Sequence, residues 1–211
     1  MTAHHPRPLR LLTFTTLYPN AAQPTHGVFV ENRLRHLLAG GGVQAQVVAP
    51  VPFFPFSAPI FGSYSRYAGV PARETRHGIT VHHPRYLVLP KIGMTLAPWL
   101  LYAGAVAQVE ALGGAAAFDA IDAHYFYPDG VAAMWLARRF NKPLVITARG
   151  TDINLLPDHA WPRRMILAAA RAAAGIIAVS GALKQRLAAL GVDAAKIRVL
   201  RNGVDLAAFH A

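Results

Sequence analysis

Apolar and polar residues alternate along this chain in blocks that predict a repeated β-α organisation. Short apolar segments rich in β-favouring residues are separated by segments in which apolar residues recur at helical spacing. The predicted strands cover residues 9–15, 45–49, 79–82, 120–124, 144–147, 176–179 and 197–200. The predicted helices cover residues 28–38, 96–112, 130–140, 162–173 and 182–190.

This order of elements predicts a doubly wound, Rossmann-like α/β domain. Strands joined through about 10 to 20 helical residues need crossover connections, which give a mostly parallel sheet with helices on both faces. The segment 50–78 interrupts the pattern, because its several prolines favour a long irregular excursion at the edge of the sheet. We expect one domain over residues 1–211.

The longest uncharged run, residues 92–109, has the minimum length of a membrane-spanning helix. It contains Pro98, Gly104 and Gln108, and regular α/β elements surround it, so a buried or interfacial helix is favoured. The first ten residues hold no apolar run of signal-peptide length, and the chain has no cysteine. These features predict a cytoplasmic protein.

The net charge is +11, from 21 basic and 10 acidic residues, which predicts attraction to polyanions. Nucleic acid, anionic lipid headgroups and phosphorylated substrates all meet that description. The basic residues are scattered singly or in pairs, without the dense run or interleaved aromatics of a nucleic-acid groove. We therefore do not expect nucleic acid as a partner.

Polar residues cluster where the predicted strands end, which is where a doubly wound sheet binds its ligands. Arg149 and Asp152 flank a glycine directly after one strand, and His124 ends the strand before it. Arg149 and Asp152 form either a salt bridge that fixes the loop, or a pair that neutralises a diphosphate leaving group or orients an acceptor hydroxyl. His124 is open to a structural or a catalytic role.

Gly27, Asp129 and Ser180 have both structural and functional interpretations. Gly27 precedes a helix whose free amides suit a phosphate, although a turn alone also requires glycine. Asp129 and Ser180 are each placed to cap a helix. The chain lacks the phosphate-loop and dinucleotide-binding motifs, and no spacing of His and carboxylates indicates a metal site. We expect neither a metal nor another cofactor.

Four segments together resemble the amino-terminal domain of family 4 retaining glycosyltransferases, which have the GT-B fold. They are residues 18–30, 123–130, 147–152 and 178–209, the last with Asn202-Gly203-Val204-Asp205 and Phe209 near its end. The subgroup that this chain resembles most makes exopolysaccharide, teichuronic acid and similar cell-surface glycans. Where the family usually has His-Gly-x-Asp, this chain has Arg149 in place of the His, which preserves an electrostatic role there but not an imidazole one.

The resemblance implies two Rossmann-like domains facing across a cleft, one for the acceptor and one for a nucleotide diphosphate sugar. This chain would be the acceptor-side domain, and the carboxyl-terminal donor-binding domain would lie outside it. The implied reaction is retaining transfer to a glycan or lipid-linked acceptor without a metal, so this chain alone is expected to have little activity. Its charge would favour peripheral association with the anionic inner face of the cell membrane.

The positions of polar residues at strand ends and the resemblance together give the candidate site residues. The catalytic candidates are His124, Arg149 and Asp152. The substrate-binding candidates are Tyr18, Gly27, Asp129, Ser180 and Asn202, with Gly27 contributing amides to the leaving diphosphate. Two alternatives are a non-catalytic Rossmann-like ligand-binding module and a basic nucleic-acid-binding domain, and no motif in the sequence favours either.

Overall fold

A computed structural model describes residues 7–53, 65–89 and 93–203 of the chain. The strands are Leu9–Phe14 (β1), Val43–Val48 (β2), Val51–Pro52 (β3), Arg73–Arg76 (β4), Ile79–His82 (β5), Arg85–Tyr86 (β6), Ala120–His124 (β7), Leu144–Ala148 (β8), Gly175–Ala178 (β9) and Ile197–Val199 (β10). The helices are Val28–Ala39 (α1), Ser65–Ala68 (α2), Gly93–Ala111 (α3), Val131–Phe140 (α4), Thr151–Asn154 (α5), Ala160–Ala172 (α6) and Gly181–Ala189 (α7).

Eight of these strands form one sheet in the order β10-β9-β8-β7-β1-β2-β5-β4. All neighbouring pairs are parallel except β4 with β5. The first strands of the chain lie on one side of β1, in the sheet order β2, β5, β4. The chain then crosses to the other side of β1, where β7, β8, β9 and β10 follow one another outward. This reversal lies between β1 and β7, and in doubly wound sheets the ligand binds at such a point.

The sheet is covered on both faces, and two consecutive residues of β2 show this. Side chains alternate between the faces of a strand. Val47 is fully buried in a core with Val30 and Leu34 of α1. Val48 is fully buried in a larger core, to which α3, α4, α6 and α7 contribute. The predicted Rossmann-like α/β fold, with a mostly parallel sheet between two layers of helices, is therefore confirmed.

The edge of the sheet differs from the prediction in segment 50–78. The excursion is not irregular throughout, because β4 pairs antiparallel with β5 and β3 pairs with β6 in a separate two-stranded sheet. Strand β4 reads Arg-Glu-Thr-Arg and lacks the apolar residues that mark a buried strand. Residues 54–64 of the predicted excursion lie outside the described residues.

The uncharged run forms most of α3, a helix with one side in the larger core. Leu101, Ala105 and Val109 are fully buried there. A Cβ on Gly104 would lie 2.5 Å from the carbonyl oxygen of Arg85, so this glycine lets α3 approach β6 closely. Within residues 7–53, 65–89 and 93–203, no helix has both the length and the apolar character needed to cross a bilayer.

Candidate functional site

The reversal point brings the ends of β1, β7 and β8 together at one edge of the sheet. His124 is the last residue of β7, and Arg149 comes directly after β8. Helix α1, which begins after the loop that leaves β1, lies over the same edge, because its Phe29 ring stacks on the Arg149 guanidinium at 4.7 Å. Three separate parts of the sequence therefore meet at one place.

His124 is buried, and both of its ring nitrogens are engaged. Its Nδ1 lies 2.8 Å from Nη2 of Arg149, and its Nε2 lies 3.3 Å from a carboxylate oxygen of Asp122. Arginine can only donate, so Nδ1 must accept and the ring proton must be on Nε2, which donates to Asp122. Burial lowers the pKa of His124, opposed by Asp122 and reinforced by nearby arginines. The imidazole is thus neutral and holds Arg149 in place.

Arg149 is the centre of the site. Its Nη1 donates to Oδ1 of Asn202 at 2.9 Å, while Nη2 donates to His124. Burial, and then repulsion by Arg33, lower the pKa of Arg149 to about 10. The guanidinium nevertheless stays charged at neutral pH. Three residues singled out from the sequence, His124, Arg149 and Asn202, are therefore in direct contact.

Asp152 does not form the side-chain salt bridge with Arg149 that was one interpretation of the sequence. Its carboxylate accepts hydrogen bonds from three backbone amides: Phe126 at 2.7 Å, Gly150 at 2.7 Å and Arg149 at 3.1 Å. Burial raises the pKa of Asp152, and these backbone hydrogen bonds oppose the rise. Asp152 therefore fixes the loop after β8 and ties it to the segment after β7.

Arg33 and Asp122 belong to the site although neither follows a predicted strand. Nη1 of Arg33 donates to Oγ1 of Thr147 at 3.0 Å and lies 3.4 Å from Nδ1 of His124. Asp122 precedes His124 by two residues, so both side chains leave the same face of β7. That spacing was a usable signal in the sequence. Arg33 had none, since it lies inside a helix.

Gly27 directly precedes α1 and has a left-handed backbone, at φ 69°. A Cβ at this position would lie 2.3 Å from the carbonyl carbon of Leu17, so the loop after β1 packs directly against the start of the helix. Phe29, two residues later, contacts Arg149. Gly27 thus sets where α1 starts beside the site, and its predicted contact with a diphosphate stays a prediction.

The prediction that Asp129 caps the following helix is wrong. No side-chain hydrogen bond caps α4, and the Asp129 carboxylate instead accepts from the amide of Thr16 at 2.7 Å and from the hydroxyls of Thr15 and Thr16. Burial raises the pKa of Asp129 to about 7 against these hydrogen bonds. Asp129 therefore ties the loop after β1 to the segment after β7.

Tyr18 and Ser180 also have structural positions. Tyr18 is 1% exposed in the smaller core, where burial and then Glu31 raise the pKa of its phenol. Ser180 caps α7 as predicted, accepting from the amide of Leu183 at 3.2 Å. Tyr18 and Asp129 are buried, and Ser180 caps a helix. The predicted substrate contacts of these three residues stay predictions.

A cleft of about 560 Å³ opens beside this network, between α1 and residues 201–203. Phe29, Arg33 and Asn202 line it, and each of them contacts Arg149 or His124. Half of the other lining residues have basic side chains: Arg35, His36 and Arg201, beside Asn32, Ala39 and Gly203. The site is thus a cleft with three arginines in its lining, beside the network of Arg149 and His124.

Comparison with known proteins identifies the family of the chain. The sequence profile of glycosyltransferase family 4 matches residues 27–208. TuaC of Bacillus subtilis (strain 168), described as a teichuronic acid biosynthesis glycosyltransferase, is 30% identical over 207 residues, which are 96% of this chain and 51% of TuaC. The chain thus spans about half the length of this curated relative.

Solved structures share the fold at lower identity. HepE of Anabaena, crystallised with UDP and glucose, is 19% identical with a TM-score of 0.58, covering 95% of this chain and 46% of HepE. MurG of Acinetobacter baumannii is 13% identical with a TM-score of 0.51, covering 94% of this chain and 46% of MurG. The profile covers most of the sequence and TuaC aligns along nearly all of it, so the chain belongs to glycosyltransferase family 4.

Proposed function

We propose that this chain is the acceptor-side domain of an enzyme that moves a sugar from a nucleotide diphosphate sugar to a cell-surface glycan or lipid-linked acceptor. The observation that carries the proposal is the contact of Arg149 with His124 and Asn202 at the point where the sheet reverses. Two similar proteins support this chemistry. HepE was crystallised with UDP and glucose, and TuaC is described as a teichuronic acid biosynthesis glycosyltransferase.

Arg149 is the residue to which we assign the electrostatic work. Its charge is fixed, and the neutral His124 and the Asn202 amide orient the guanidinium before any substrate binds. A positive group held in advance stabilises negative charge that develops on a leaving diphosphate, without reorganising at the moment of reaction. We propose retention of configuration at the sugar and assign Asp152 an indirect role, because its carboxylate is occupied by backbone amides.

We also propose that the donor is held mainly by a second domain outside residues 1–211. The cleft beside Arg149 is open, and the chain covers 46% of HepE and 51% of TuaC. A diphosphate in such a site would be bound from one side only. We therefore expect this chain alone to transfer sugar at background rates from a panel of radiolabelled nucleotide diphosphate sugars, with a membrane extract as acceptor. A longer protein that contains both domains is expected to transfer sugar well from at least one of these nucleotide diphosphate sugars.

The same assay tests the role of Arg149. In the longer product, Arg149→Gln is expected to lower kcat about 100-fold, as removal of a fixed electrostatic group does in other enzymes. Arg163→Gln, which removes the same charge from an exposed position on α6, is the matched control and should leave kcat unchanged. Appreciable turnover by residues 1–211 alone would refute the proposal that a second domain is needed to hold the donor, and an unchanged kcat in Arg149→Gln would refute the electrostatic role.

Peripheral binding to an anionic membrane is part of the proposal, and the net charge of +11 supports it. The chain is expected to sediment with vesicles that contain phosphatidylglycerol and to remain in solution with pure phosphatidylcholine. Because exposed charges are screened by salt, raising the salt from about 0.05 M to about 0.5 M should release it. Sedimentation that ignored both lipid charge and salt would contradict an electrostatic association.

A further inference from the structure

Asp122 is a buried carboxylate to which the proposed reaction gives no role. Its side chain is 9% exposed, and its Oδ2 lies 3.3 Å from Nε2 of His124. Its Oδ1 is buried, lies 3.8 Å from Nη1 of Arg33 and has no hydrogen-bond partner among residues 7–53, 65–89 and 93–203. A carboxylate is costly to bury unless a charge or a donor compensates it. The two oxygens of Asp122 therefore face the groups that compensate it, an imidazole and a guanidinium.

Two carboxylates offset the two guanidinium groups at this point of the fold. Burial lowers the pKa of Arg149 most and Arg33 lowers it further, while Asp122 and Asp152 raise it. The oxygens of Asp152 accept from backbone amides of the loop after β8 and the segment after β7. Asp122 is thus the carboxylate that contacts the side chains of the network.

The proton of His124 has to be on one particular nitrogen if Arg149 is to stay in place. Arg149 donates to Nδ1 at 2.8 Å, which requires a lone pair on that nitrogen. With the proton on Nδ1, two donors would face each other and the guanidinium would have to move away. In a neutral imidazole the partner of one nitrogen decides the state of the other. The partner of Nε2 is Asp122, which can only accept while it is ionised.

Arg33 is a competing donor for the same imidazole nitrogen. Its Nη1 lies 3.4 Å from Nδ1 of His124 and donates to the Thr147 hydroxyl at 3.0 Å. The same Nη1 faces Oδ1 of Asp122, and opposite charges at this distance attract each other. Asp122 therefore helps to hold Arg33 on its own side of the imidazole, which leaves the lone pair of Nδ1 to Arg149.

We propose that Asp122 is a positioning residue for the sugar transfer. Its Oδ2 fixes the proton of His124 on Nε2, so that Nδ1 accepts from Arg149. Its Oδ1 faces Arg33 and keeps this second cation from taking the same nitrogen. The importance of Asp122 for catalysis rests on the proposed function, because it acts through the guanidinium that stabilises the leaving diphosphate. While Arg149 is held in this way, His124 has no free ring nitrogen for a substrate hydroxyl.

The position of the proton can be observed in this chain without any sugar transfer. Nitrogen-15 NMR of the histidine rings at pH 7 distinguishes the two neutral tautomers from the imidazolium, and the His124 signals are those absent from His124→Gln. We expect a neutral ring with its proton on Nε2, and the same tautomer in Arg149→Leu, because Asp122 remains. In Asp122→Asn the amide can donate as well as accept, so the other tautomer should also be populated.

Three results of this measurement would overturn the proposal. The first is a wild-type His124 with its proton on Nδ1 or on both nitrogens. The second is a tautomer that changes when only Arg149 is replaced, since Arg149 would then decide it. The third is an unchanged tautomer in Asp122→Asn. The first result needs no variant, so it tests the proposal even if Asp122→Asn fails to fold, which circular dichroism checks.

Activity of the longer protein that contains both domains gives a second test. Asp122→Asn should lower kcat about tenfold with little change in KM, the loss expected for a charge-assisted hydrogen bond that acts only on the transition state. Asp119→Asn is the matched control, because Asp119 is also paired with an arginine, Arg10 at 2.9 Å, but lies at the opposite end of β7. It should change neither kcat nor the His124 tautomer.

Equal losses of kcat in the Asp122 and Asp119 variants would indicate a structural role for Asp122 and would also overturn the proposal. A longer protein that transfers no sugar would instead refute the proposed function. The NMR measurement tests Asp122 independently of that result, so the two failures are distinguishable.

Discussion

Replacing Gly27 with Ala is expected to lower the free energy of unfolding by about 3 to 5 kcal/mol, in the range of severe single substitutions. A side chain at this left-handed position, with φ 69°, is strained in itself. In addition, its Cβ would lie 2.3 Å from both the carbonyl carbon and the carbonyl oxygen of Leu17. That backbone cannot move away easily, because the Leu17 amide donates to Thr15 and the Thr16 amide donates to Asp129.

Gly41 provides the matched control. It has nearly the same backbone conformation, with φ 73°, but a Cβ there would meet nothing within 4 Å. Gly41→Ala should therefore cost only the conformational strain, about 1 to 2 kcal/mol. Urea unfolding of both variants, followed by circular dichroism, measures the difference. Equal losses in the two proteins would show that the contact with Leu17 contributes nothing and that the loop can yield.

The buried strands were predictable from the sequence, whereas the edge of the sheet was not. A parallel strand covered on both faces is mostly apolar, and β8 and β9 accordingly stood out as short apolar segments. Strand β4 has one neighbour and reads Arg-Glu-Thr-Arg, so no apolar pattern marks it. It pairs with β5 across the two-residue turn His77-Gly78, in which both residues have positive φ, and this turn was the usable local signal. The ion pair of Arg76 with Glu31 joins residues far apart in sequence, and a local pattern cannot reveal it.

The site divides in a similar way. The rule that ligands lie beyond strand ends led to His124 and Arg149, and the family motif led to Asn202; the three are in contact. Arg33 was missed because its partners are on β7 and β8, more than ninety residues away in the sequence. The sequence of an amphipathic helix does not show in which direction the guanidinium of an arginine side chain points. Only the packing of α1 against the reversal point places it in the cleft.

The interpretation of Asp129 failed for a related reason. Its position just before a helix is typical of a capping residue, but a competing set of donors was available on the loop after β1. Thr15 and Thr16 supply an amide and two hydroxyls, more than the single orphan amide that a cap would satisfy. The parallel pairing of β1 with β7 brings these donors to Asp129, and the sequence near Asp129 contains no trace of them.

The buried carboxyl of Asp129 leads to the second large effect, a fall in stability as the pH rises. Its pKa of about 7 in the folded protein is above the ordinary aspartate value of 3.8. The folded state therefore holds a proton that the unfolded chain has already lost. The contribution to stability is complete below pH 4 and is lost as the pH rises to about 7, at up to about 1.4 kcal/mol for each pH unit.

Asp129→Asn is expected to remove this dependence, because an amide oxygen can still accept from the Thr16 amide and carries no charge. The difference in unfolding free energy between the wild-type chain and Asp129→Asn should shift in favour of the variant from pH 5 to pH 7 and level off above pH 8. Asp119→Asn is the control: hydrogen bonds from Arg10 hold the pKa of Asp119 well below its usual range. Its stabilisation is present above the ordinary carboxyl pKa and is lost only on acidification, so this control should show no trend from pH 5 to pH 8. A constant difference between wild type and Asp129→Asn over the same range would mean that Asp129 is already ionised at pH 5, and that its hydrogen bonds outweigh its burial.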